Sequence, residues 1–356
     1  MAIVFRADAS LTIGNGHVMR CLSIAKNLRA HGAHCSFVCA SLEGNLNSLI
    51  KAEGFEVFVV DPSFPDSARD PERLIQDWKR DAQSTLSSIQ HLQIDWMVVD
   101  HYGLDWQWEK DLLQHASHLM VLDDLANRKH QCHVLVDPNP GRLPSEYFDL
   151  IPNQSKALTG SNYTLIREAI FNSRPPLQAA RIQRDVLSVL ISMGGVDKDN
   201  LTSQVLESLN NYASAVPLHI QVILGPLAPW KEKVNALAPL SHWPTIVWQD
   251  PPNLGELMGY HDIAIGAAGT SALERCFLGL PSINLVLAPN QLRGAKVLQD
   301  LGAASAITLH QHWQHDLHRD LRALTAPPQL AAMKKNCLAV TDGLGIARIT
   351  QEMVRA

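Results

Sequence analysis

Short apolar runs alternate with helical patterns along this chain, and that alternation leaves few folds open. In the first half the runs fall at 2–7, 35–40, 56–61, 96–100, 119–123 and 134–137, with helical patterns at roughly 17–31, 44–53, 70–92 and 106–116. Runs this short and this continuously apolar read as strands buried on both faces, the condition of a parallel sheet. Alternating strand and helix units of this length predict a doubly wound parallel α/β sheet. The stretch 172–185, NSRPPLQAARIQRD, carries Pro175-Pro176, lacks sustained apolar periodicity and reads as a connection. Beyond it the alternation restarts, with strands at 186–192, 218–224, 245–248, 262–266 and 282–287. We therefore expect two doubly wound, Rossmann-like α/β domains, 1–172 and 186–356, joined by a linker at 173–185 and facing an interdomain cleft. The last helix is placed to pack back on the first domain.

The 356 residues suffice for two such cores. Apolar residues at 46% and charged residues at 18% fit a globular chain and not a disordered one. A net charge of -5 gives no electrostatic footprint for nucleic acid or an anionic membrane. Arg6 and Asp8 follow directly on a short apolar run, which argues against a signal peptide, and no apolar run approaches the length of a membrane span. The cysteines Cys21, Cys35, Cys39, Cys132, Cys276 and Cys337 form no C-x-x-C pair with a matching partner, so reduced thiols of a cytoplasmic protein are expected. His310, His312, His315 and His318 read as a solvated helix surface rather than a metal site. The expectations are a cytoplasmic monomer, a small-molecule partner, no membrane insertion, no metal and no cofactor.

Residues 6–28, RADASLTIGNGHVMRCLSIAKNL, lead from a strand through a glycine loop into a helix. Gly14 and Gly16 flank Asn15 and let the backbone turn tightly, presenting bare N–H groups. Val18, Cys21, Leu22, Ala25 and Leu28 recur at helical spacing from about His17 onward. His17 and Arg20 thus fall in the first turn of a helix at the carboxyl end of a strand, where ligands bind in open α/β sheets. The positive end of the helix dipole favours a neutral imidazole, which can take a proton from water as a general base. The bland alternative is a histidine that only caps the helix. Asp100, His101 and Tyr102 leave another buried strand at the same sheet edge. Tyr102 reads as a hydrogen-bond donor to a ligand or as a packed ring with a wet hydroxyl. Asp8 reads as orienting His17, as binding a ligand hydroxyl, or as an Asx turn.

In the second half, two small-residue loops follow strands and precede helices, the arrangement of a phosphate site. One is Met193-Gly194-Gly195; the other runs from Gly266 to Gly269-Thr270-Ser271. Glu274, one turn into the second helix, offers two acceptor oxygens to a ribose, or else is a surface acid complementing the dipole. Asn290 and Gln291 follow the 282–287 strand, and their amides suit sugar hydroxyls or N-acetyl groups. The absence of G-x-x-x-x-G-K-[ST] argues against a P-loop ATPase, and the incomplete G-x-G-x-x-G argues against a nicotinamide enzyme.

As a set these motifs resemble the UDP-sugar hydrolases of pseudaminic acid biosynthesis, which cleave UDP-2,4-diacetamido-2,4,6-trideoxy-β-L-altropyranose. The resemblance rests on RADAS at 6–10, G-x-G-H-x-x-R-C from Gly14 to Cys21, DHYGLD at 100–105 and the stretch from Leu158 through Gly160 to Arg167. It continues through SMGG-x-D from Ser192 to Asp197, GAAGTSALE at 266–274 and Asn290-Gln291. That family is similar to the glycosyltransferase that adds N-acetylglucosamine to the lipid-linked peptidoglycan precursor. The resemblance implies its GT-B architecture, with UDP held mainly by the C-terminal domain. It implies His17 as the base for inverting water attack on the anomeric carbon, Tyr102 and Asn290 at the sugar, Glu274 at the ribose, and Gly194, Gly195 and Gly269-Thr270 at the diphosphate. The candidate catalytic residues are His17, Asp8 and Tyr102. The candidate substrate-binding residues are Gly14, Gly16, Arg20, Asp100, Gly194, Gly195, Gly269, Thr270, Ser271, Glu274, Asn290 and Gln291. A UDP-sugar-dependent transferase and a non-catalytic nucleotide-sugar-binding module are the alternatives. No role attaches to 61–93 or 310–318.

Overall fold

The computed structural model describes residues 1–60, 78–174, 185–226 and 228–355. It forms two compact units, Met1–Leu165 with Leu344–Ala356, and Ile166–Gly343. The first holds a seven-stranded sheet built from β1 (Ala2–Ala7), β2 (His34–Ala40), β3 (Glu56–Val60), β4 (Ile94–Asp100), β5 (Ala116–Leu122), β6 (Val134–Asp137) and β7 (Lys156–Thr159). Every pairing is parallel, in the order β3-β2-β1-β4-β5-β6-β7. The second holds a six-stranded parallel sheet of β8 (Leu187–Ser192), β9 (Leu218–Leu224), β10 (Thr245–Gln249), β11 (Ile263–Ala267), β12 (Ser282–Val286) and β13 (Ala304–Thr308), in the order β10-β9-β8-β11-β12-β13. The expected doubly wound architecture is present in both.

The two sheets follow one path. The chain starts on a central strand, winds to one edge, then crosses back and winds to the other. The reversal lies between β1 and β4 in the first sheet and between β8 and β11 in the second. A crevice opens at the carboxyl ends of the strands where the winding direction reverses, so these two pairs of strand ends are the places to look for chemistry.

Burial on both faces explains the unbroken apolar strands. Ile3, Val4 and Phe5 of β1 are all buried, with Phe5 stacked on Phe37 of β2 at 5.0 Å between ring centroids. The helix Gly16–Ala30 turns Val18, Cys21, Leu22, Ile24, Ala25 and Leu28 inward. The C-terminal helix Gly345–Arg355 packs within the first unit: Trp96 Nε1 donates to the Met353 carbonyl at 3.1 Å and Arg348 to the Asn162 carbonyl at 2.7 Å. Residues 166–172, read from the sequence with the first domain, lie in the second unit, where Ile170 joins a core with Leu190, Met258 and Phe277. Strands β7 and β13 had not been anticipated. Positions 61–77 of the expected insert and 175–184 of the expected linker lie outside the described residues. The six cysteines are free thiols. Among the described residues, no helix is long and apolar enough to cross a membrane.

Candidate active site

At the end of β1 the backbone turns through Ser10, whose Oγ accepts from the Thr12 and Ile13 amides at 3.1 and 2.9 Å. Gly14 then adopts φ +81°, a left-handed conformation that suits glycine. Asn15 makes no side-chain cap, so the helix that begins at Gly16 opens with amides that no side chain caps. His17 and Arg20, three residues apart on this helix, face the end of β4 together.

There Asp100 receives both. His17 Nδ1 lies 2.5 Å from Asp100 Oδ1, and Arg20 grips the same carboxylate through Nε to Oδ2 at 2.9 Å and a terminal nitrogen to Oδ1 at 2.7 Å. Asp100 is fully buried and His17 is 5% exposed. Burial alone would raise the Asp100 carboxyl; Arg20 and then His17 hold it below its ordinary value. A carboxylate only accepts, so Nδ1 is the donor of this contact, and an Arg20 terminal nitrogen stands 3.0 Å from the same Nδ1. The partner of His17 is thus Asp100 and not Asp8.

Asp8 is committed elsewhere, because Arg6 projects from the same strand. Arg6 makes two bonds to Asp8, at 2.6 and 3.0 Å, and two more to Asp81 at 3.2 and 2.6 Å. Asp8 also accepts from the Ala40 amide at 2.7 Å and lies 3.3 Å from His101 Nε2. Burial works against its ionised form, but Arg6 and His101 hold the carboxyl below the usual range. The helix Trp78–Ile89 supplies Asp81, which also accepts from Trp108 Nε1 at 2.9 Å, so this part of 61–93 closes a buried ion network.

Tyr102 stands edge-on to His17, with 4.5 Å between ring centroids. Its hydroxyl donates to Asp124 Oδ2 at 3.0 Å. Burial, and then Asp124, push the Tyr102 hydroxyl above its ordinary value and keep it protonated. Sequence reasoning missed Asp124, although it follows the strand-ending Asp123. Arg20 donates to Asp124 at 3.0 Å, and Asp124 Oδ1 is buried without a hydrogen-bond partner among the described residues. Asp123 itself turns away to Arg128, at 2.7 Å, and Tyr147.

The second unit is furnished differently. After β8, Gly194 takes φ +90°, and a Cβ placed on Gly225 would collide with the Gly195 backbone, so glycine is required for these strand ends to pack. The helix beyond, Leu201–Asn210, is already capped: Asp197 accepts from the Leu201 and Thr202 amides at 2.8 and 2.9 Å. A carboxylate thus occupies the terminus of this helix, and any anion at this loop would have to rest on the Gly194-Gly195 backbone itself. After β11, by contrast, the helix Thr270–Phe277 has Gly269 at its N-cap and no side-chain cap bond. Thr270 is exposed there and Ser271 half-buried. Gln291 adjoins this loop, with Nε2 3.6 Å from a Cβ built on Gly269, and its Oε1 accepts from the Leu287 amide at 2.9 Å. Asn290 precedes it in the short turn Pro289–Gln291.

Glu274 is 2% exposed, so the reading as a surface acid is wrong. Both its oxygens accept from Arg167, Nε and a terminal nitrogen each at 2.6 Å. Arg167 had been read only as part of a motif. Its role requires a bidentate partner that spacing alone does not reveal. Among the histidines at 310–318, His310 pairs with Asp316 at 2.7 Å and His318 with the Ser208 carbonyl at 3.0 Å. No cluster of three or more His, Cys, Asp or Glu side chains able to hold a metal ion occurs among the described residues.

No family model matches the chain. It is similar to the UDP-2,4-diacetamido-2,4,6-trideoxy-beta-L-altropyranose hydrolase of Campylobacter jejuni, 28% identical over 210 residues, covering 59% of this chain and 66% of that protein. It is also similar to an uncharacterized protein of Methanocaldococcus jannaschii, 24% identical over 298 residues, covering 82% of this chain and 57% of the other. The chain thus spans less than two thirds of the length of these relatives. Among solved structures, MurG of Acinetobacter baumannii matches with a TM-score of 0.69 at 16% identity over 100% of this chain and 99% of that one. The spinosyn rhamnosyltransferase SpnG, solved with thymidine diphosphate, matches with a TM-score of 0.66 at 16% identity over 99% of both chains. The chain has the fold of the GT-B glycosyltransferases.

Proposed function

We propose that this chain hydrolyses UDP-2,4-diacetamido-2,4,6-trideoxy-β-L-altropyranose to UDP and the free 2,4-diacetamido-2,4,6-trideoxy-L-altrose. The observation that carries the reading is the oriented imidazole, with His17 Nδ1 held 2.5 Å from a buried Asp100 that Arg20 also grips. The second unit takes the nucleotide, its diphosphate at Gly269-Thr270 and its ribose toward Glu274. His17 Nε2 removes a proton from water as the water oxygen bonds to the anomeric carbon from the face opposite UDP. The anomeric C–O bond breaks, its electron pair leaves with the UDP oxygen, and the anomeric configuration inverts. Asp100 stabilises the imidazolium that results, as in other carboxylate–imidazole pairs. UDP is a good leaving group, so no raised-pKa carboxylic acid is needed to protonate it, unlike the two-carboxylate glycosidases. Uncapped amides at the Thr270 helix stabilise the departing charge.

The name of the Campylobacter jejuni relative and the ordered set of motifs support this substrate. A sugar transfer to an acceptor is the second reading, favoured by the glycosyltransferases that share the fold. Incubation with a panel of UDP-sugars in ¹⁸O-water, followed by mass spectrometry, separates the possibilities. Hydrolysis at carbon places the label in the released sugar. Label in the UDP phosphate means attack at phosphorus and overturns the mechanism. Turnover only when an acceptor is added makes the chain a transferase, and an intact, stoichiometrically bound UDP-sugar makes it a binding module. Activity is expected to survive excess EDTA.

A further inference from the structure

Arg275 is 1% exposed, and all its hydrogen bonds go to neutral oxygens: Ser282 Oγ at 3.1 Å, the Ala267 carbonyl at 2.7 Å and Asn284 Oδ1 at 2.7 Å. A buried guanidinium ordinarily sits against carboxylate, as Arg6 and Arg20 do in this chain. Burial pushes Arg275 down to about 10 against the opposing effect of Cys276 and Glu274, the latter already paired with Arg167, so it remains charged at neutral pH. Its place in the fold is specific. A Cβ built on Gly266 would stand 2.8 Å from a terminal nitrogen of Arg275 and would also clash with the Ser192 carbonyl. The guanidinium therefore lies beneath the ends of β8 and β11, the strands that lead into the two glycine loops. The uncapped N-terminus of the Thr270–Phe277 helix adds positive potential at the same strand ends.

We propose that Arg275 is a positioning residue for the nucleotide: a buried, uncompensated cation whose field, together with the helix terminus, attracts the diphosphate to the Gly266–Thr270 loop without touching it. The inference rests on the reading of that loop as the UDP site. An unpaired charge in a low-dielectric interior is unfavourable until a counter-charge arrives nearby, and there it is screened far less than at the surface. The binding anion supplies that counter-charge.

Asn284 offers a way to cancel the charge without removing the arginine. It is fully buried, its Oδ1 already accepts from Arg275, and its Nδ2 has no hydrogen-bond partner among the described residues. Asn284→Asp therefore keeps the shape, sacrifices no hydrogen bond and places a carboxylate against the guanidinium. Calorimetric affinities for UDP and for uridine should then diverge. UDP binding should weaken by about tenfold or more, an effect of one buried charge, while uridine binding changes by less than about twofold. Arg275→Gln removes the charge by a second route and should lower the same UDP-to-uridine ratio. Unchanged UDP affinity in Asn284→Asp overturns the proposal, as does an equal loss for both ligands, which would mark a merely structural role. Where neither variant folds, the wild type still decides, because uridine bound as tightly as UDP overturns the proposal. Wild-type protein that binds neither ligand overturns the nucleotide reading and this inference together.

Discussion

At the reversal point of the first sheet, between β1 and β4, Arg6 and Arg20 each meet two carboxylates; between β8 and β11 of the second, Arg275 meets only neutral oxygens. The strand order is the same in both. What differs is whether charge is balanced inside the protein. Balanced networks fix side chains in place, which suits a base that must hold one tautomer and one direction. An unbalanced cation under glycine loops leaves a counter-charge to be supplied from outside, which suits an anion that comes and goes. On the proposed function, one topology carries a proton-transfer site and an anion site, and the side chains at the strand ends decide which.

The sharpest way to break this comparison is at His17. His17→Ala is expected to lower kcat by about 10²–10⁴-fold, the range for a lost general base, with UDP affinity unchanged, since the proposed UDP site lies in the other unit. Asp100→Asn should fall in about the same range, because the amide can donate to Nδ1 and turn the wrong tautomer toward water. Steady-state kinetics with calorimetry checks both. A His17→Ala enzyme with wild-type turnover leaves the reaction without its base.

Asp8 directly follows β1 and Asp100 ends the neighbouring β4, Ala7 being in register with Asp100, yet the comparison assigns them different work. Asp8→Asn removes one carboxylate from a buried pair and should cost about 3 kcal/mol of stability, with kcat of the folded enzyme preserved. Denaturant unfolding and kinetics on one preparation make the test. A fall in kcat with stability intact would return Asp8 to the catalytic set.

How much of this was legible follows from the physics of parallel strands. Buried strands must be apolar throughout and must end in polar or glycine residues, so most strands and both glycine loops could be read directly. Lys156–Thr159 escaped because it is short and begins with an exposed lysine, and Ala304–Thr308 because all its residues but Ile307 are small or polar. His17 and Arg20 were legible together through helical spacing. The choice of Asp100 over Asp8 was not, since it depends on Arg6 and Asp81 engaging Asp8 in one network and on a His17–Asp100 contact 83 residues apart. Asp124, Arg167 and Arg275 gave no local signal because each acquires its role from a partner on another element. The resemblance supplied roles that spacing alone left open; it did not supply the partners.

Glu274→Ala separates the ribose reading from a structural one in the second unit. Loss of a charged hydrogen bond to the ribose should weaken UDP by about 1.5–3 kcal/mol. Arg167→Gln releases Glu274 from its bidentate partner without removing its oxygens, and should weaken UDP less. Equal losses would mean that Glu274 matters only as an anchor for Arg167, and unchanged affinity in Glu274→Ala would remove it from the ribose site.

The smallest expected effect concerns Asp197, the cap of the Leu201–Asn210 helix. Because its carboxylate already fills that helix terminus, Asp197→Ala should leave UDP affinity nearly unchanged and cost only about 0.5–1 kcal/mol of stability near pH 7, the low end for a lost cap. The pH dependence sharpens the contrast with Asp100. Burial raises the Asp197 carboxyl above its ordinary value, even against hydrogen bonds from Thr202 and Leu201. Where the folded value exceeds the unfolded one, the folded state binds the proton more readily, so wild-type stability gains as pH falls through the raised value. The alanine variant lacks that gain, and the gap between wild type and variant should widen from pH 7 toward pH 4. For Asp100, whose carboxyl is held below its ordinary value, the sign reverses: its contribution is present above the unfolded value and is lost as acid protonates the folded form. Urea unfolding of wild type and Asp197→Ala across this range decides the matter. A gap that narrows in acid would mean that the capping bonds to Asp197 outweigh its burial.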